Sequence, residues 1–210
     1  MSGNVRVKIC GIQSPEEAVA AVDSGADLIG LNFVEGSPRC IDLRVAETIC
    51  DAVAHEPVER VALFANAMWE EVDRVLRRVE FERVQFHGEE TEEEVEAVDL
   101  PVIKALRGVD VEAAEAYPGA ILLLDHPGGG AGKGQSWDWG DASTLIEQGY
   151  DVILAGGLDP SNVEQAVSDL GEMLPWGVDV ATGVEGEGNR KDAERMVAFV
   201  QAVRRAEGEA

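Results

Sequence analysis

Lys8-Ile9-Cys10-Gly11 sets an ammonium two residues before a thiol, inside a run from Val5 to Ile12 that alternates in character. Strand side chains alternate between faces, so Val5, Val7 and Ile9 share one face while Arg6, Lys8 and Cys10 share the other. A thiol of ordinary pKa about 8.5 works as a base or nucleophile once it is a thiolate, and a neighbouring cation favours that form. The same residues also describe a small core cysteine, since free cysteine is among the most buried residue types. Other groups with chemical capacity are spread along the chain. They are Arg39 in a Gly-Ser-Pro-Arg loop, Gln85 and His87 two residues apart, Asp125 at the end of an apolar run, Lys133 in a glycine-rich stretch, Gly156-Gly157, Asp179, and Thr182-Gly183.

These groups share a position: each follows or ends an apolar run. The runs are Val5 to Ile12, Ala26 to Phe33, Val58 to Phe64, Arg83 to Gly88, Pro101 to Leu106, Ala120 to Asp125, Asp151 to Ala155 and Val178 to Ala181. Between them lie stretches of helical character. Ser14-Pro15-Glu16-Glu17 reads as a helix start, with Ser14 as N-cap and Glu17 closing a capping box. Val45 to Val53, Glu70 to Val79, the acidic Thr91 to Val98, and the final stripe of Met196, Phe199, Val200 and Val203 have helical spacing. Ala120 to Leu124 is apolar throughout, as a strand buried on both faces requires. Eight strands alternating with about eight helices predict an α/β fold, one (β/α)8 barrel over residues 1–210. In such a barrel chemistry sits at the C-terminal ends of the strands, where Cys10, Arg39, His87, Asp125, Gly156, Gly157, Thr182 and Gly183 fall.

Two adjacent loops, after the seventh and eighth strands, both offer glycine backbone N–H groups at the place where barrels bind phosphate. The Gly128 to Gly134 loop is not a P-loop, because Pro127 stands where that motif needs glycine and Gly134 where it needs Ser or Thr. No dinucleotide-binding register fits these glycines either. The loop is expected to be a mobile lid that brings Lys133 to an anionic substrate.

Lys and Arg total 17 against 41 Asp and Glu, a net charge of -24. That balance excludes nucleic acid and anionic membranes as partners through bulk attraction, so an anionic ligand needs a local positive pocket. With 45% hydrophobic residues the chain has a core beneath its acidic coat. Such a coat suits a salt-rich interior, so a halophilic source is expected. Three cysteines without paired spacing, three scattered histidines and no apolar leader point to a reduced, cytoplasmic protein without a metal site. A monomer or homodimer is expected.

Lys8-Ile9-Cys10-Gly11, Ser37-Pro38-Arg39, Val84-Gln85-Phe86-His87-Gly88, Leu123-Leu124-Asp125, Gly130-Ala131-Gly132-Lys133, Ala155-Gly156-Gly157-Leu158 and Gly177 to Glu185 together resemble the phosphoribosylanthranilate isomerases, in that family's order and over nearly the whole chain. The resemblance implies an Amadori rearrangement in tryptophan biosynthesis, on a phosphorylated small molecule and with no cofactor. It implies Asp125 as the general acid on the ribose ring oxygen and Cys10 as the general base at C2′. Asp125 is then expected to have a raised pKa, and Cys10 to be held as thiolate by Lys8 or another cation. Arg39 would take the anthranilate carboxylate in its guanidinium fork. Gln85 and His87 would line the pocket, unless His87 is structural, and Asp179 would pair with Lys8 across the closing seam of the barrel.

Ala131, Ala181-Thr182 and His126-Pro127 depart from the family's usual residues, and Cys40 stands where a bulky residue is expected against the aromatic ring. These changes touch affinity ahead of reaction type. The competing readings are another phosphosugar isomerase or synthase on the same barrel, and a phosphosugar-binding barrel without catalysis.

Overall fold

The computed structural model describes residues 4–128 and 137–208. The alternation at the N-terminus becomes β1 (Arg6–Cys10), which pairs on one side with β2 (Leu28–Asn32) and on the other with β8 (Gly177–Val180). Between them in order come β3 (Glu59–Phe64), β4 (Arg83–Phe86), β5 (Val102–Arg107), β6 (Ile121–Asp125) and β7 (Val152–Leu154). Every pairing is parallel and the sheet closes into a barrel, as the strand and helix alternation predicts.

The outer layer is α1 (Pro15–Asp23), α2 (Leu43–Ala52), α3 (Trp69–Arg78), α4 (Glu92–Glu96), α5 (Val111–Glu115), α6 (Ser143–Glu147), α7 (Val163–Ser168) and α8 (Ala193–Ala206). Ser14 caps α1 by accepting from the Glu17 N–H at 3.3 Å. The expected reciprocal bond is replaced: Glu17 accepts from the backbone N–H groups of Gln13 at 2.6 Å and Lys191 at 3.0 Å. The full capping box forms instead at Thr91 and Glu94, at the head of α4.

Two cores follow from the pleat. Val7, Ile9, Ile29, Leu31, Phe64, Val84, Leu122, Leu124 and Val178 point outward and meet the helices, including Met196 and Phe199 of α8. Leu28, Val61, Ile103, Ile121, Leu123 and Ile153 point inward and fill the lower barrel. Trp176 packs beneath them, with the guanidinium groups of Arg6 and Arg83 at 4.4 Å and 5.3 Å from its ring. The N-terminal end of the barrel is thereby filled by Trp176 with Arg6 and Arg83, and the other inward polar residues lie above it. No helix among the described residues is long and apolar enough to cross a membrane.

Candidate active site

The inward positions nearest the C-terminal ends of the strands open into a cavity of about 450 Å³. Its walls include Cys10 from β1, Asn32 from β2, Gln85 of β4 with His87 just beyond it, Asp125 from β6, Gly156-Gly157 after β7, and Asp179 with Thr182-Gly183 from β8 and its loop. Arg39 reaches it from the segment between β2 and α2. Lys133 lies outside the described residues, as does most of the expected lid.

Lys8 and Asp179 stand opposite each other in the β1–β8 register, and Lys8 Nζ donates to Asp179 Oδ1 at 2.8 Å, both nearly buried. Burial acts against the Lys8 ammonium, but the charges of Asp179 and Cys10 outweigh it and raise its pKa. Cys10 differs from the sequence expectation. Its removal from water pushes the thiol pKa up, and Asp179 adds to the rise, against the opposing pull of Lys8 and Lys191. The thiol form is therefore favoured, because burial outweighs the pull of the two cations.

Asp125 departs in the opposite sense. Burial acts to raise its pKa, but a hydrogen bond from His87 and another from the His126 backbone N–H prevail, and the carboxyl is held below its ordinary value. His87 Nε2 lies 3.2 Å from Asp125 Oδ2, and the His126 N–H donates to Oδ1 at 2.8 Å. An ionised carboxylate only accepts, so Nε2 carries the hydrogen and Nδ1 accepts from the Gln85 amide at 3.0 Å. Gln85 is fully buried, and its Oε1 has no hydrogen-bond partner among the described residues. His87 is thus tied to the Asp125 side of the cavity.

Gly156 and Gly157 both adopt left-handed backbone, at φ 76° and 83°. A Cβ at Gly156 would sit 2.4 Å from the His126 backbone nitrogen, so only glycine lets this turn press against the segment holding Asp125. The backbone N–H groups of Gly156, Gly157, Thr182 and Gly183 have no acceptor among the described residues, which suits an anion.

A family model described as "N-(5'phosphoribosyl)anthranilate (PRA) isomerase" matches residues 7–202. The chain belongs to that family. The N-(5'-phosphoribosyl)anthranilate isomerase of Pseudomonas putida is 43% identical over 212 residues, covering 97% of this chain and 99% of the relative. The crystal structure of the isomerase from Thermus thermophilus superposes with a TM-score of 0.85 at 36% identity, covering 96% of this chain and 99% of that one. An isomerase structure in complex with reduced 1-(o-carboxyphenylamino)-1-deoxyribulose 5-phosphate has a TM-score of 0.81 at 34% identity, covering 97% and 99%. The chain is accordingly an isomerase of tryptophan biosynthesis on a (β/α)8 barrel.

Set beside the family's chemistry, Arg39 holds a surprise. Its fork is already filled: Nε and Nη2 donate to Glu185 at 2.6 Å and 2.9 Å, and Nη2 also reaches Thr182 Oγ1 at 3.1 Å. Nη1 is the guanidinium nitrogen with no acceptor among the described residues. Cys40 is exposed and is not among the residues that line the cavity. Lys191, Arg195 and Glu185 are the neighbours that sequence reasoning left without a role. Lys191-Asp192 ahead of the last helix carries no motif of its own, and its significance depends on a loop from the other end of the chain.

Proposed function

We propose that this chain, as a single barrel domain, converts N-(5′-phosphoribosyl)anthranilate to 1-(2-carboxyphenylamino)-1-deoxyribulose 5-phosphate, with Asp125 as general acid and Cys10 as general base. The observation that carries the assignment is that β1 and β6, three strands apart around the barrel, project Cys10 and Asp125 into one cavity and no other thiol lines it. The relative's complex with a reduced carboxyphenylamino-deoxyribulose phosphate supports the same class of ligand for this cavity.

In the forward step the Asp125 carboxylic acid gives its proton to the ribose ring oxygen as the bond from C1′ to that oxygen breaks. The nitrogen lone pair closes the C1′=N bond of the Schiff base. The Cys10 thiolate then takes the C2′ proton, and the electrons of that C–H bond form C1′=C2′ while the C=N pair returns to nitrogen. The resulting enolamine moves its enol proton to C1′ and becomes the ketone. A proton donor and an acceptor on separate walls of one cavity are what this sequence of steps requires.

Proton accounting gives the depressed Asp125 and the raised Cys10 a place in the cycle. Each turnover ends with a thiol and a carboxylate, which is the pair that the burial of Cys10 and the hydrogen bonds to Asp125 favour. One proton must return to Asp125 before the next ring opening. A bound phosphate and carboxylate, both anionic, raise the Asp125 pKa and favour that return. The unpartnered N–H groups at Gly156-Gly157 and Thr182-Gly183 are the proposed phosphate grip. Arg39 Nη1 is the proposed contact for the anthranilate carboxylate, with Gln85 and His87 bracing Asp125; Lys133, outside the described residues, is proposed as a further substrate contact.

The test is loss of anthranilate fluorescence with freshly generated substrate, comparing wild type with Cys10→Ser and Asp125→Asn. Turnover by the wild type and collapse in both folded variants is expected. A Cys10→Ser enzyme working at the wild-type rate would overturn the base assignment.

A further inference from the structure

Charged side chains surround the thiol on several elements. Lys8 comes from β1, Asp179 from β8, and Arg39 from the segment after β2. Glu185 and Lys191 come from the stretch between β8 and α8, and the proposed chemistry gives these last two no task. Both are buried. Glu185 Oε1 accepts from Arg39 Nε at 2.6 Å and from Lys191 Nζ at 2.8 Å, while Oε2 accepts from Arg39 Nη2 at 2.9 Å. Lys191 Nζ also donates to the Ala181 carbonyl at 2.9 Å, and Arg195 Nη1 holds the Glu185 carbonyl at 2.6 Å. Apart from Arg39 Nη1, the polar ends of this cluster are tied down, as buried charge demands.

The arginine stem is placed just as firmly. Gly11, the residue after Cys10, has no side chain, and a Cβ there would lie 2.5 Å from Arg39 Cδ. The arginine stem therefore lies directly over Gly11, just past the end of β1. A carboxylate near a base disfavours the ionised base, and Glu185 is bonded to Lys191, whose charge acts on Cys10, so a clamp made of Glu185 alone would work against the thiolate. Lys191 bonds the same Oε1 that receives Arg39 Nε, so it neutralises that carboxylate where it matters.

We infer that Glu185 is the positioning residue that locks Arg39 across Gly11 beside Cys10, and that Lys191 offsets its charge so that the clamp does not suppress the Cys10 thiolate. The inference rests on the reading of Cys10 as base and Arg39 as carboxylate ligand. The charge balance around the thiol agrees with it. Lys8 and Lys191 act to lower the thiol pKa, Asp179 raises it, and ionisation of Cys10 in turn favours the Arg39 cation. His87 and Asp125 face the thiol from the far wall of the cavity.

The experiment compares Glu185→Gln, Lys191→Met and the double variant by two readouts. The first is the kcat and KM split with substrate. The second is the pH dependence of Cys10 alkylation by iodoacetamide without substrate, followed on the Cys10 peptide by mass spectrometry. Removing the carboxylate leaves the thiol more positively surrounded, so Glu185→Gln should move the alkylation midpoint to lower pH. It should also raise KM roughly tenfold with a smaller change in kcat, because the fork is no longer aimed. Lys191→Met should move the midpoint to higher pH. The double variant should bring the midpoint back towards wild type while keeping the raised KM.

Midpoints moving in the same direction in both single variants would overturn the charge offset, and an unchanged KM in Glu185→Gln would overturn the positioning role. Should Glu185→Gln fail to fold by circular dichroism, the double variant, in which neither charge of the pair is left alone, carries both readouts: a wild-type KM there would sink the positioning role, and a midpoint far from wild type would sink the offset. Because alkylation is read without turnover, opposite shifts alongside an active Cys10→Ser would fault the assignment of the base and leave the electrostatic arrangement standing.

Discussion

The two walls of the cavity solve opposite electrostatic problems and reach opposite results. Around Cys10 there are cations close at hand, yet burial prevails and the thiol pKa rises. Around Asp125 burial is again the largest influence, yet the hydrogen bonds from His87 and the His126 N–H prevail and the carboxyl pKa falls. The difference lies in how the partners are committed. Lys8 divides its charge between Asp179, at 2.8 Å, and Cys10, whereas the two donors at Asp125 point at the carboxylate alone. A nearby opposite charge shifts a pKa only so far as it is not already paired, while a hydrogen bond aimed at the charged form shifts it directly.

The sharpest way to break this comparison is to remove the two groups. Cys10→Ser and Asp125→Asn should each lower kcat/KM by about 10³-fold, within the range that general acid–base groups contribute. A loss confined to one of them would show that the walls do not act as a pair. Removing the partner that ties up Lys8 tests the thiol side. Asp179→Asn leaves a buried ammonium uncompensated and should cost about 3 kcal/mol in urea unfolding. It should also free Lys8 to act on Cys10, so that alkylation of the thiol begins at lower pH. Unchanged alkylation would mean that Asp179 does not govern the thiol.

On the acid wall, His87→Leu removes the donor at Oδ2 while the backbone donor at Oδ1 stays. The Asp125 carboxyl should titrate at higher pH by carbon-13 NMR of labelled aspartate, with kcat/KM changed by about tenfold or less. A carboxyl that titrates as before would leave the backbone N–H as its principal hold. The depressed pKa also has a stability consequence with a definite sign. The ionised Asp125 contributes stability that is fully present above the ordinary carboxylate pKa and is lost as pH falls through its lower folded value. Asp125→Asn should therefore lose less stability than wild type on acidification through that window, as measured by thermal midpoints across the acid range.

The smallest effect separates the site from the surface. The acidic coat implies that KCl raises the thermal midpoint by screening self-repulsion among exposed carboxylates, a change of about 1 kcal/mol or less for any one exposed pair. The Lys8–Asp179 pair is shielded from solvent and should be insensitive to the same salt. The Cys10 alkylation midpoint would then stay still while the melting temperature climbs, and a midpoint that followed the salt would place the thiol in contact with bulk ions.

Much of this was legible in the chain. The alternation of Lys8 and Cys10, the unbroken apolar run up to Asp125, and the glycines after two successive strands are local patterns. A pleat or a left-handed turn reads them without knowing their neighbours. Ser14 could be named as a cap for the same reason. The Lys8–Asp179 pair was within reach as well, because a closed barrel forces the last strand against the first. Glu17 could not be read so: its carboxylate turned away from the Ser14 N–H to serve Gln13 and Lys191. The choice was made by a loop arriving from the far end of the chain.

By itself, then, the sequence determined the eightfold strand and helix order, the face on which the chemistry gathers, and the identities of a thiol and a carboxyl at two strand ends. Tertiary structure alone decided which way each pKa moves. Burial depth, the diversion of Lys8 to Asp179, the two donors on Asp125, and the Glu185 clamp on Arg39 all depend on groups far apart in the chain. A pKa and an ion pair respond to distance and dielectric, and neither is a property of residue order.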